Sequence, residues 1–142
     1  MINQVIHTNK MEDPSGSFHP HARRVGDFIF VSGLIARTLG QPKIPGVLYD
    51  SNGNVVGHDV EQQFLATLEN LKHVLDAAGT SVEHIVDVTI FLTDLEKDFK
   101  KFNAIYGKHL GHVNPARTTV QVPRLPSPVC IELKVIAVMP SL

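Results

Sequence analysis

Two residues near the end of the chain, Arg117 and Glu132, combine types that could carry a reaction. A guanidinium offers a planar two-point contact to a carboxylate, and a positioned glutamate can take a proton from water and return it. Such a pair suits a substrate with an acid group beside a carbon that water attacks. The same residues on a solvated strand face would form an incidental ion pair, and the pattern alone leaves both readings open. The eight histidines raise metal chemistry, with His19-x-His21 on one side of an extended segment and His109/His112 around a helix end. Neither pair has a His-Glu-x-x-His frame or a third carboxylate at ligand spacing, so no metal is expected. The lone Cys130 excludes an internal disulfide and, with no Cys–His–Asx signature around it, reads as strand packing. No glycine-rich phosphate cradle occurs, so no nucleotide cofactor is expected. Arg23, Arg24 and Arg37 are sparse and lack interleaved aromatics, and the net charge is −1. Both facts argue against nucleic-acid and membrane partners.

The elements that must position these residues follow from periodicity. The 142 residues, 43% hydrophobic and 19% charged, fit one domain over 1–142. No apolar run approaches a membrane span and the N-terminus shows no signal peptide, so a reducing cytoplasm is expected. Arg23–Ser32 predicts two short strands around Gly26-Asp27, and residues 37–58 read as a long loop. Asp59 and Gln62 open a helix whose stripe is Val60, Phe64, Leu68, Leu71, Leu75 and Ala78, closed by Gly79. A strand over 86–92 follows, then a helix from about Lys97 to Leu110 with Phe99, Phe102, Ile105, Tyr106 and Leu110 inward. Ala116–Val122 and Cys130–Met139 supply the last two strands. The order predicts an α+β sandwich with two helices on one sheet face. Alternation places Arg117 and Glu132 together on the face away from the helices. Ile136 and Val138 share that face and require cover, for which a second subunit is the simplest source.

The segments Arg24-Val-Gly-Asp-Phe-Ile-Phe-Val-Ser-Gly33, Glu69–Gly79, Val88-Thr-Ile-Phe-Leu-Thr-Asp94 and Phe102-Asn-Ala-Ile-Tyr106 resemble the Rid (reactive intermediate deaminase, YjgF) family. Pro115-Ala-Arg-Thr-Thr-Val-Gln-Val-Pro-Arg-Leu-Pro126 with Ile131-Glu-Leu-Lys-Val-Ile-Ala-Val138 carries the resemblance furthest. It implies a chorismate-mutase-like fold, and a homotrimer with a central barrel and sites between subunits. It also implies Arg117 as the carboxylate anchor and Glu132 as the water-handling acid, with Ser32 and Asn103 as further substrate contacts. Thr119 stands where many members carry Cys or Ser, and His19 replaces the usual Tyr. The Pro-His segment Phe18-His-Pro-His-Ala22 together with the 37–58 loop is similar to the 2-aminomuconate deaminase branch. The resemblance thus implies a cofactor-free deaminase of an enamine or imine acid, 2-aminomuconate above all. His21, then His19, Arg24 or Arg37, is expected to meet the second carboxylate. A general 2-imino acid deaminase and a non-catalytic trimeric metabolite-binding module are the alternatives.

Overall fold

The computed structural model describes residues 1–14 and 18–141. Its strands are Asn3–Ile6 (β1), Ala22–Val25 (β2), Phe28–Leu34 (β3), Val47–Tyr49 (β4), Val55–His58 (β5), Ile85–Leu92 (β6), Ala116–Gln121 (β7) and Ile131–Val138 (β8). The helices are Val60–Ala78 (α1) and Leu95–Leu110 (α2). Six strands form one sheet in the order β1-β2-β3-β8-β6-β7, antiparallel except for the parallel β6–β7 pair. That parallel pair needs a long crossover, and α2 is the crossover. The fold is a chorismate-mutase-like α+β sandwich with both helices on one face of a mixed sheet, as the element order predicts.

Each helix starts on an aspartate. Asp59 accepts the Gln62 N–H at 3.1 Å and Asp94 accepts the Lys97 N–H at 3.0 Å, satisfying first-turn donors that would otherwise lack partners. Gly79 ends α1 at φ 87°, a left-handed conformation that disfavours any side chain. Phe64, Leu71 and Leu75 of α1 and Phe102 of α2 are fully buried against Ile29, Val31, Val88, Ile90, Leu133 and Val135 of the sheet. Phe64 meets Phe102 edge-on, with centroids 5.6 Å apart, and truncating either to Ala would cost about 3–5 kcal/mol.

Four expectations change. The 37–58 segment is not a plain loop, for it contains the β4–β5 hairpin. Its turn is closed by Asp50 Oδ1, which accepts the N–H groups of Asn52 and Asn54, with Gly53 at φ 83°. A three-residue strand is too short to show an alternation. Gln63 pins the hairpin to the core: its Nε2 donates to the Gly46 carbonyl and lies 2.8 Å from His58 Nδ1, and its Oε1 accepts the Cys130 N–H. Phe99 is exposed rather than inward, because α2 turns that side over the end of β7. A bulge between Ile85 and Asp87 turns Val86 to solvent.

The fourth change governs the site. Arg117 pairs with Val88 and Thr119 with Ile90, both core residues under the helices, so Arg117 lies on the helix face. Glu132 pairs with Phe91 and points the other way, so the two are not on one face. The expectation came from alternation along Ala116–Val122, which would turn Val120 inward and Arg117 outward. On this edge strand Val120 instead belongs to a second apolar surface on the outer face of the sheet. That surface carries Phe28 and Phe30, 51% and 40% exposed, beside half-buried Ile136 and Val138. No helix among the described residues is long and apolar enough to cross a membrane.

Candidate functional site

Glu132 lines a cleft of about 460 Å³ that also takes in His19, His21, Ser32, Gly33 and Arg37. The β3–β8 register slips between Val31 and Leu34, and that bulge holds Ser32 and Gly33. A Cβ on Gly33 would lie 2.8 Å from Glu132 Oε2, so glycine supplies the room in which the carboxylate sits. Burial raises the Glu132 pKa above the usual 4.5, which brings the group closer to the range of a working base. Along the same strand, Lys134 donates its ammonium to the Val31 carbonyl, and burial lowers its pKa.

The histidines of this cleft differ. His21 is buried; its Nδ1 accepts the Thr8 N–H at 3.2 Å and its Nε2 donates to the Glu12 carbonyl at 3.0 Å. Both ring nitrogens are committed, which requires the neutral Nε2–H tautomer. The expected contact of His21 with a substrate carboxylate is therefore corrected: His21 staples the chain before β2 to the end of β1. His19 is exposed at the cleft, and its one hydrogen bond among the described residues is with the Pro20 carbonyl, at 3.2 Å. Ser32 Oγ donates to that same carbonyl at 2.7 Å, which leaves the hydroxyl only its acceptor capacity at the cleft wall. Arg24 is spent on the β2–β3 turn, where it donates to the Gly26 carbonyl and lies 3.6 Å from Asp27.

Arg117 occupies a different pocket, of about 560 Å³, lined also by Phe99 and Thr119. Its guanidinium lies 4.8 Å from the Tyr106 ring centroid and 5.8 Å and 6.0 Å from those of Phe102 and Phe99. Nη1 donates to Asn103 Oδ1 at 2.8 Å. Rings behind the plane and an amide at one end fix the fork, leaving its remaining N–H groups for an anion. Asn103 thus acts on Arg117 itself. Two buried hydroxyls, Tyr106 Oη and Thr119 Oγ1, have no hydrogen-bond partner among the described residues. Such groups are costly to bury without a partner.

Cys130 is buried, and desolvation pushes its thiol up to about 12, far from a reactive thiolate. His112 bonds Glu83 at 3.1 Å and His109 packs near Phe64. Three residues escaped sequence reasoning: Gly33, Tyr106 as a site wall, and Asn70. A polar line Gln63, Thr67, Asn70 at i, i+4, i+7 beside the apolar stripe of α1 was the available signal for the last. All three of these polar side chains are buried and bonded.

Comparison with known proteins completes the picture. A RutC family protein of Pyrococcus abyssi is 39% identical over 137 residues, covering 96% of this chain and 98% of its own. The Escherichia coli YjgF gene product superposes with TM-score 0.75 at 33% identity, covering 95% of this chain and 98% of that one. Escherichia coli TdcF, solved with bound serine, gives TM-score 0.77 at 31% identity over 96% of this chain and 99% of that one. The family model described as Endoribonuclease L-PSP matches residues 8–139, and on that match and these near full-length likenesses the chain belongs to the L-PSP family, which includes the RutC and YjgF proteins.

Proposed function

We propose that the chain is a cofactor-free hydrolytic deaminase of enamine and imine acids. In this reading it acts as a homotrimer, with each site formed where the Glu132 cleft of one copy meets the Arg117 pocket of the next. The observation that supports it is the split: Arg117 and Glu132 occupy separate pockets on opposite sheet faces. One chain cannot bring both to one small molecule. The outer apolar face, with Phe28 and Phe30 exposed, is the surface that copies would bury against each other.

The chemistry then runs on this chain's own side chains. Arg117, held by Asn103 and the aromatic wall, pairs with the C1 carboxylate and fixes C2. The enamine tautomerises to the 2-imine, and Glu132 takes a proton from the water that attacks C2. The carbinolamine collapses, the nitrogen leaves as ammonia with the proton returned by Glu132, and a 2-oxo acid remains. The lifted pKa of Glu132 suits both proton steps better than a fully solvated carboxylate would. Ser32 and Thr119 contribute acceptors or donors at the edges. Among substrates, 2-aminomuconate, giving 2-oxohex-3-enedioate, is the finer proposal, and a reducing cytoplasm the compartment.

The test has two arms. Imines generated in the cuvette should release ammonia faster with the protein than without it; unchanged rates across a panel would leave a metabolite-binding module as the better reading. Mixing Glu132→Gln with Arg117→Met protein after joint refolding should restore about one quarter of wild-type activity, since random assortment puts an intact Arg117 beside an intact Glu132 in that share of interfaces. No recovery would break the composite model.

A further inference from the structure

We infer that Arg37 is the specificity-determining residue of the Glu132 cleft and selects substrates with a second, distal carboxylate. The inference rests on the deaminase reading for its reaction, and on the geometry of the cleft for its ligand class.

Arg37 lines the cleft that holds Glu132, and its residue is exposed there. Its backbone is held firmly: buried Asn70 of α1 donates from Nδ2 to the carbonyls of Ile35 at 2.9 Å and Arg37 at 2.8 Å. One side chain thus clamps the chain just past β3 at the point where the cation emerges. Among the described residues the Arg37 guanidinium has no ion-pair or hydrogen-bond partner, whereas Arg23, Arg24 and Arg117 each have one. Besides Glu132, the acidic residues of the cleft are Glu12 and Asp13. Both are exposed at the rim, where water screens them, and neither lies within 4.0 Å of Arg37. Of the two histidines on the cleft wall, His21 is committed to backbone on both nitrogens, while His19 is a single-ring donor that cannot offer the two-point contact of a guanidinium. A substrate whose C1 carboxylate is held by a neighbour's Arg117, with C2 beside Glu132, would send its far end along this cleft. A second carboxylate there would find a fork-shaped donor that no described residue engages.

The test compares two stable 2-oxo acids of equal chain length, 2-oxoadipate and 2-oxohexanoate, which differ in the distal carboxylate. Calorimetric titration of the wild-type protein should show 2-oxoadipate bound roughly 10- to 100-fold more tightly, the worth of one charged two-point contact. Arg37→Met should narrow that ratio to within about threefold, Arg37→Lys should retain part of it, and Arg117→Met should weaken both ligands together. Equal binding of the two acids by the wild type, equal loss of both in Arg37→Met, or no binding of either would overturn the inference. A dicarboxylate preference that depends on Arg37, found with no ammonia release from any imine, would sustain the subsite and discard the deaminase. Ammonia release with no such preference would do the reverse.

Discussion

The Glu132 cleft and the Arg117 pocket sit on opposite faces of one sheet and are built by opposite means. The cleft is made by subtraction: a bulge opens β3, Gly33 gives up its side chain, and the carboxylate gains room but loses water. The Arg117 pocket is made by addition: Phe99, Phe102 and Tyr106 stack behind the guanidinium, and Asn103 ties down one end. One half therefore raises the energy of a charge so that it seeks a proton. The other half fixes a charge so that it loses little entropy on binding an anion. A single chain carries both devices on opposite faces of the sheet, and the proposed trimer is what would bring them to one substrate.

The largest effect expected is on the proton-transfer side. Glu132→Gln keeps size but removes the carboxylate that the proposed mechanism uses to accept a proton from water. Ammonia release should fall by roughly two to four orders of magnitude, with affinity for a 2-oxo acid changed far less. Intact turnover would reduce Glu132 to a wall residue.

On the anchoring side the loss should be smaller and differently distributed. Arg117→Lys keeps the charge but cannot stack on Tyr106 while bonding Asn103 and an anion in one plane. Turnover should drop about 10- to 100-fold with a matching rise in KM. An unchanged KM would show that another cation anchors the substrate.

Gly33→Ala tests the subtraction itself. The new methyl would press on Glu132 Oε2 at 2.8 Å without touching Arg117, so the carboxylate must move. Activity should fall about tenfold while binding of a 2-oxo acid holds, since misplacing a reacting group costs rate before affinity. Loss of both together would mean that the bulge, not the carboxylate, had collapsed.

Much of this fold was legible in the residues. The capping aspartates, the α1 stripe and Gly79 fix one helix, and the alternation of Ile131, Leu133, Val135 and Ala137 fixes the central strand. What misled was β7. Its residues alternate polar with polar, and Val120 is apolar for the sake of the outer face, so alternation placed Arg117 on the wrong side. A strand with two semi-apolar faces carries no sign that says which face meets a helix. The committed state of His21 was equally invisible, because its partners are backbone groups of Thr8 and Glu12, brought to it by the fold. Residue types named the chemistry, and only register could distribute it.

The smallest expected effect is on stability, and its sign reports what surrounds Glu132. Burial lifts its pKa, so the folded state holds the proton more tightly than the unfolded chain does. In the window between the usual 4.5 and the raised value, the folded state binds more protons, and stability falls as pH rises. Above that window the penalty of ionising a half-buried carboxylate is fully present, and below 4.5 it is absent. Glu132→Gln should therefore melt about a degree or two higher than wild type at pH 7–8, with the gap closing as the pH approaches 4. A lower melting point for Glu132→Gln at neutral pH would mean that a cation stabilises the carboxylate in the assembly. Repeating the comparison in an Arg117→Met background then identifies the source. If the loss turns into a gain, the neighbour's Arg117 pairs with Glu132 directly, and the division of labour between the two halves fails. If the gain is present in both backgrounds, Arg117 stays free for the substrate and the acid works alone.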